Sequence, residues 1–248
     1  MSESAQLFIT CILDTLYSEI GESVALLLEG LGVNAAFPLR QTCCGQPAFN
    51  AGMRAQSRPV ARHTIATFEK TVGPIVVPSG SCAAMLRHGY LDLFKDDKDW
   101  YQRAKSIADR TYELTEYIVD YLGVSDVGAH FNGTFTYHSS CHLLRDLGVH
   151  RQPRQLLSNV KGAQFVELPH GRECCGFGGV FSVEHPEVSN AMLELKIKNI
   201  EKSGSAMVVS SDAGCMTHIN GGLRRRGQQQ RVVHIAELLA NRVQPEID

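Results

Sequence analysis

The sequence predicts an α/β protein of two pseudo-symmetric α/β halves with mainly parallel sheets, its cysteine loops lying at the C-terminal ends of strands. Two observations predict this. Short apolar runs of strand length alternate with amphipathic helical stretches, the order that builds βαβ units. All eight cysteines fall into one pattern written twice: a lone cysteine, a vicinal pair followed by glycine, and a second lone cysteine. Cys11 lies 32 positions before Cys43 and Cys82 lies 38 after Cys44; Cys141 lies 33 before Cys174 and Cys215 lies 40 after Cys175. The duplication divides the chain into a first half over 1–125, which includes a connecting helical region, and a second half over 126–248.

Each element follows from local pattern. Leu7-Phe8-Ile9-Thr10 reads as a buried strand that delivers Cys11. Val24, Leu27, Leu28 and Leu31 fall at i, i+3, i+4 and i+7, an amphipathic helix closed by Gly32. A second strand over Val33 to Phe37 leads to Cys43-Cys44-Gly45, and a helix covers much of Ala51 to Val72. Pro74 to Pro78 is a third strand ending at Ser79-Gly80-Ser81-Cys82. The polar stretch Asp92 to Arg110 holds the single tryptophan, Trp100, and passes into a helix with Leu114, Ile118 and Leu122 on one face, stopped by Gly123.

The second half repeats the scheme. Thr134 to Tyr137 is a strand running into Ser139-Ser140-Cys141, followed by a weaker helix near Pro153 to Asn159 and a strand over Gln164 to Leu168. After Cys174-Cys175-Gly176, Pro186 opens a long helix lined by Leu193, Ile197 and Ile200, with Gly204 beyond its end. The strand Ala206 to Val209 delivers Asp212-Ala213-Gly214-Cys215, and a last strand and helix occupy Val232 to Arg242. Loops leaving the C-terminal ends of such strands are where α/β folds place their ligands.

With 248 residues, 44% of them hydrophobic, the chain can bury a core without disulfide staples. A formal charge of −2 gives no attraction to nucleic acid or to an anionic membrane. Arg224-Arg225-Arg226 is too short for a binding patch and reads as a solvated helix end. The opening Met1 to Gln6 has neither the basic nor the apolar region of a secretory leader, and no apolar run reaches the roughly 18 residues that span a bilayer. The expected location is the cytoplasm, where repeated cysteine patterns mark metal or redox chemistry more often than bridges.

A bridge between adjacent cysteines closes a strained ring, which disfavours disulfides at Cys43-Cys44 and Cys174-Cys175. Structural zinc prefers two Cys-x2-4-Cys knuckles, and the chain has none. A polynuclear iron–sulfur cluster suits vicinal thiolates, because neighbours can ligate different irons. Cys11, Cys43, Cys44 and Cys82, and again Cys141, Cys174, Cys175 and Cys215, are therefore the candidate metal ligands, for one or two iron–sulfur clusters per chain. In this reading Gly45 and Gly176 let the backbone approach the cluster.

His138 and His142 flank Cys141 and are placed for a hydrogen bond to a ligating thiolate or for proton transfer beside it. Arg145 and Arg172 are candidates for binding a small carboxylate or for offsetting thiolate charge. Gly176-Phe177-Gly178-Gly179 lacks the full dinucleotide pattern, and no Walker motif occurs, so no organic redox cofactor is expected.

Phe8-Ile9-Thr10-Cys11, Thr42-Cys43-Cys44-Gly45-Gln46-Pro47-Ala48, Ser79-Gly80-Ser81-Cys82, Cys174-Cys175-Gly176-Phe177-Gly178-Gly179 and His234-Ile235-Ala236-Glu237 resemble one family over nearly the whole chain. It is the CCG cysteine-rich family, shared by the B-type component of heterodisulfide reductase, the iron–sulfur components of glycolate and glycerol-3-phosphate dehydrogenases, and the lactate-utilisation proteins; the A-type lactate-utilisation proteins are the nearest match. The resemblance implies an iron–sulfur electron-transfer subunit of a system oxidising L-lactate to pyruvate, with the companion lactate-utilisation proteins B and C as partners. In the fuller family motif each half ends in Cys-x-x-Cys, five thiolates holding a noncubane [4Fe-4S] cluster. Here Ser79 and Asp212 stand three before Cys82 and Cys215, so four thiolates per half remain and Asp212 is a candidate oxygen ligand. Two alternatives stay open: a heterodisulfide or thiol reductase using the same centre, and a zinc-binding or redox-sensing scaffold.

Overall fold

The computed structural model describes residues 3–243. Met1 and Ser2, which begin the stretch read as lacking a secretory leader, lie outside the described residues, as do the last five of the expected second half. Among the described residues, β1 (Glu3–Leu7), β2 (Val33–Ala36), β3 (Ile75–Val77) and β4 (Thr111–Glu113) form one sheet in the order β2-β1-β3-β4. A second sheet holds β5 (His130–His138), β6 (Lys161–Phe165), β7 (Met207–Ser210) and β8 (Arg231–His234) in the order β6-β5-β7-β8. Every strand pair is parallel. The two orders are the same, so the duplicated cysteine pattern rides on a duplicated topology.

In this order the chain steps outward to one side after the first strand and returns to its other side for the third. The crevice at such a switch point opens between β1 and β3, and again between β5 and β7, at their carboxyl ends. Cys11 and Cys82 follow the first pair of strands, and Cys141 and Cys215 the second.

Most of the expected elements are present, with three informative differences. β1 covers Glu3–Leu7 where a strand over Leu7–Thr10 was expected, and Thr10, whose hydroxyl accepts from the Leu13 amide, instead starts the helix Cys11–Leu16. β6 begins three residues before the expected Gln164, as an edge strand that pairs only with β5. β4 was not expected at all: Thr-Tyr-Glu is short and polar, and it becomes a strand by pairing with β3 at the outer edge of the sheet.

β3 and β7 are buried at every position, and successive side chains point to opposite faces of the pleated sheet. Ile75 and Val77 face a core with Phe8, Ile65, Phe68 and Phe94, while Val76 between them faces the opposite side. That opposite core is continuous across both halves: it joins Leu13, Ile20, Val24 and Leu28 to Phe135, Leu193, Ile197, Val208 and Ile235. The helix Ser18–Gly30 of the first half packs on the helix Ile235–Leu239 of the second. Among the described residues, no helix is long and apolar enough to cross a membrane.

Candidate metal centre

The loops that carry Cys82 and Cys215 are each built by a capping device that turns the chain from strand to helix. Ser79 adopts extended backbone, and its hydroxyl accepts from the Cys82 amide, opening the helix Gly80–Ala84. Asp212 does the same for the helix Ala213–Arg225, accepting from the Gly214 amide at 3.1 Å. Cys82 and Cys215 therefore sit in first helical turns.

The vicinal pairs are held by the glycines after them and the helices behind. Gly45 and Gly176 have φ of 84° and 90°, in the left-handed region. A Cβ on Gly176 would lie 2.6 Å from the Ser189 carbonyl oxygen and 2.9 Å from Met192 Cβ; on Gly45 it would meet Ser57 Oγ at 3.1 Å. The glycines are thus demanded by the turn and by the helix packed behind it, which replaces the expectation that they make room for a cluster. Ser57 and Ser189 donate to the carbonyls of Gly45 and Gly176 at 3.1 and 2.8 Å, one more equivalence between the halves.

All eight cysteines open on one cavity, which also has Gln46, Ser81, His142, Phe177 and Asp212 in its wall. None is in a disulfide. In the first half Cys44 Sγ lies 3.3 Å from Cys82 Sγ, and in the second Cys174 Sγ lies 3.9 Å from Cys141 Sγ. Cys43 is the acceptor of its group: the Cys11 and Cys44 thiols and the Gly45 amide donate toward it and pull its pKa down to about 2. Cys174 is held at about 2 in the same way, by Cys141, Cys175 and the Gly176 amide. Cys11 and Cys141 are pushed up by their bonds to Cys43 and Cys174, then by burial. Each half therefore presents one thiolate ringed by three further sulfurs, a soft donor set suited to a thiophilic metal.

Other site residues fall less evenly. His138 is fully buried, neither ring nitrogen has a hydrogen-bond partner, and burial takes its pKa down to about 3. Its ring, Cys175 Sγ and Cys215 Sγ lie within 4.8 Å of one another. His142 lines the cavity but gives Nδ1 to Asp146 at 2.5 Å. Arg145 donates to the Arg172 carbonyl and Arg172 reaches His150, both outside the cysteine cavity, so neither forms a carboxylate site there. The Arg226 guanidinium pairs with Glu194 and Glu201 just beyond a helix end, where the basic run was expected.

Asp212 lines the cavity, yet its oxygens are engaged. Oδ2 accepts from Ser79 Oγ at 2.9 Å and from the Ser81 amide at 3.1 Å, while Oδ1 takes the Gly214 amide. Beside it, His234 accepts from the Ala236 amide through Nδ1, which leaves Nε2–H to donate to the Pro78 carbonyl at 3.2 Å. The lone-cysteine loops of the two halves are thus tied together by side chains.

One residue of the site escapes the sequence reading. Lys196 is 1% exposed, donates to the His170 carbonyl at 3.3 Å, and lies in the field of Cys174, Cys175 and Cys215. Its signal was present: a lysine three after Leu193 and four before Ile200 sits on the apolar stripe of its own helix.

A duplicated parallel α/β scaffold that converges eight thiols on one cavity defines the class as a cysteine-rich, metal-competent protein, and the family model for the cysteine-rich domain, CCG, matches residues 5–87 and 135–220. The lactate utilization protein A of Geobacillus sp. (strain WCH70) is 47% identical over 236 residues, covering 95% of this chain and 98% of that protein. Its counterpart in Bacillus subtilis (strain 168) is 45% identical with the same coverage. The chain belongs to the lactate utilization protein A family, within the CCG cysteine-rich class. Among solved structures, glutamate racemase isoform RacE1 from Bacillus anthracis aligns with 97% of this chain and 79% of that one, at 12% identity and a TM-score of 0.36, too slight an overlap to carry an argument.

Proposed function

We propose that the protein is a cytoplasmic electron-transfer subunit of an L-lactate-oxidising system, and that its eight cysteines hold one or two [4Fe-4S] clusters. The observation that carries the reading is the convergence of Cys11, Cys43, Cys44 and Cys82 with Cys141, Cys174, Cys175 and Cys215 on a single cavity. Lactate enters through the names of the relatives. When bound, iron–sulfur clusters supply one-electron chemistry, into which the electron pair released from lactate must be divided.

The chain's own residues do the rest. Cys43 and Cys174 are poised as thiolates, the form that binds metal. The capped helices of Ser79 and Asp212 fix Cys82 and Cys215. Buried apolar walls keep water from the sulfurs of Cys44, Cys82, Cys175 and Cys215, which are themselves buried. We take the halves as 1–125 and 126–248, each supplying one set of four thiols over the shared core, with the lactate-utilisation proteins B and C as partners. A reducing compartment is what keeps eight thiols available.

The test is anaerobic purification followed by iron and acid-labile sulfide assay. About eight irons per chain supports two four-iron centres, and about four supports one. Zinc without sulfide would sink the proposal. In the cell, deletion of the gene is expected to abolish growth on lactate and spare growth on pyruvate.

A further inference from the structure

The halves match in topology and cysteines, but the groups around the sulfurs do not match. Counting back three residues from the lone cysteine gives Phe8 in the first half and His138 in the second. Phe8 packs against Phe68, with ring centroids 5.6 Å apart, in an apolar core. His138 is equally buried, yet both of its nitrogens lack hydrogen-bond partners. Seven residues after the paired serines Ser57 and Ser189, the first half has Thr64 and the second has Lys196. Thr64 Oγ1 donates to the Cys43 carbonyl, whereas Lys196 brings a buried amino group toward Cys174, Cys175 and Cys215.

An imidazole buried without partners for its nitrogens leaves its desolvation uncompensated, so a fold that retains one has a use for it. The geometry points to that use. We propose that His138 is a ligand of the second-half centre, bonding through a ring nitrogen beside Cys175 and Cys215, and that the two halves hold chemically different centres. This rests on the iron–sulfur reading above. It is carried by the 4.8 Å grouping of the His138, Cys175 and Cys215 donor atoms together with the orphaned nitrogens, neither of which has a counterpart at Phe8. A four-iron cluster with one protein ligand on each iron has four positions, so a bound His138 displaces one of the four second-half thiolates, and a neutral ligand in place of an anionic one raises the potential of the centre. The second centre is therefore the higher-potential one.

The experiment uses the full chain purified anaerobically, with and without 15N-histidine labelling, reduced and studied by pulsed EPR alongside a redox titration. The expected result is a nitrogen coupling of the size of a direct metal–imidazole bond, altered by the label, on the signal of higher midpoint only. His138→Phe, which installs the residue the first half carries, removes that coupling and lowers that midpoint while the other stays in place. His142→Ala leaves the coupling intact. Iron and sulfide present without such a coupling in the unsubstituted chain, or with only the weaker coupling of a hydrogen bond, would overturn the assignment and leave the iron–sulfur reading standing. A coupling that survives in His138→Phe overturns it as well. Absence of iron and sulfide removes both. Because the labelled unsubstituted chain decides by itself, misfolding of the variant does not rescue the idea.

Discussion

The Ser79 hydroxyl and the Asp212 carboxylate are hydrogen-bonded across the two halves at 2.9 Å, and these are the two positions where the fuller family motif carries its extra cysteines. The pair replaces two possible ligands with a clasp. Asp212 is 4% exposed and also binds the Ser81 and Gly214 amides, so three donors converge on one carboxylate. The carboxylate borders the cavity while Oδ2 accepts from the opposite loop and Oδ1 from its own helix, so we propose that Asp212 serves as a clasp between the halves and not as an oxygen ligand.

Asp212→Ala should accordingly destabilise the fold by about 3 kcal/mol, since it strands a buried hydroxyl and two amides, and Ser79→Ala by about 1 kcal/mol. Both variants should keep the iron content of the parent after anaerobic purification. Urea denaturation and iron assay on the same samples check this. Loss of iron from Asp212→Ala at unchanged stability would restore the carboxylate as a ligand.

A second contact between the halves is steric. Gly80, two residues before Cys82, abuts the turn His142–Asp146 that follows Cys141; a Cβ there would lie 2.5 Å from Leu143 Cβ and 2.9 Å from its Cα. Gly80→Ala is expected to cost about 1–3 kcal/mol by overpacking. Gly221→Ala provides the contrast, because Gly221 lies in the helix Ala213–Arg225 with open space around it, and alanine there should stabilise by about 0.5–1 kcal/mol. Equal effects from the two substitutions in denaturation midpoints would contradict the close approach.

Much of this fold was legible because its signals are local. The helix over Val24 and Leu28, the Pro186 start and the Gly204 stop all follow from spacing and from residues with restricted or permissive backbones. β4 was not legible, since Thr111 to Glu113 has no strand pattern and owes its form to the neighbouring β3. The site divides in the same way. The eight cysteines announce themselves by repetition, whereas the Ser79–Asp212 clasp joins residues 133 apart and follows only from how the halves dock. His138 stands out in the sequence by its nearness to Cys141, but its burial without a partner is a property of the packed core.

Glu113 and His234 occupy equivalent places, each capping the helix after the fourth strand of its sheet with a reciprocal bond to a glutamate three residues on. Burial raises the Glu113 carboxyl to about 7 and lowers the His234 imidazole to about 4. The signs are opposite. Between its ordinary value of 4.5 and about 7, Glu113 holds a proton in the folded chain that the unfolded chain has lost, so its contribution to stability falls as pH rises through that window. His234 binds its proton only in the unfolded chain between about 4 and its ordinary 6.5, so its contribution grows as pH rises. Glu113→Gln removes the first effect and leaves the second. The difference in unfolding free energy between variant and parent should therefore climb by about 3 kcal/mol from pH 4 to pH 8. Urea titrations at four pH values measure it, and parallel curves would refute the buried carboxyl.

Because all eight cysteines border one cavity, the arrangement of metal within it can be read by removing one half's ligands at a time. Cys11 and Cys44 are replaced by serine in one variant, and Cys141 and Cys175 in another. Each pair removes one outer and one buried thiol of its group and leaves the clasp at Ser79 and Asp212 untouched. With two independent four-iron centres, each variant should lose about four irons and the four-cysteine variant about eight. The EPR signal that survives should differ between them: the signal with histidine nitrogen remains after loss of Cys11 and Cys44 and disappears after loss of Cys141 and Cys175. A single centre spanning the cavity would behave otherwise, since either variant would lose all of its iron at once. Iron content, sulfide content and the surviving signal together separate the two arrangements, and circular dichroism on the same samples establishes that the chain is still folded when the metal is gone.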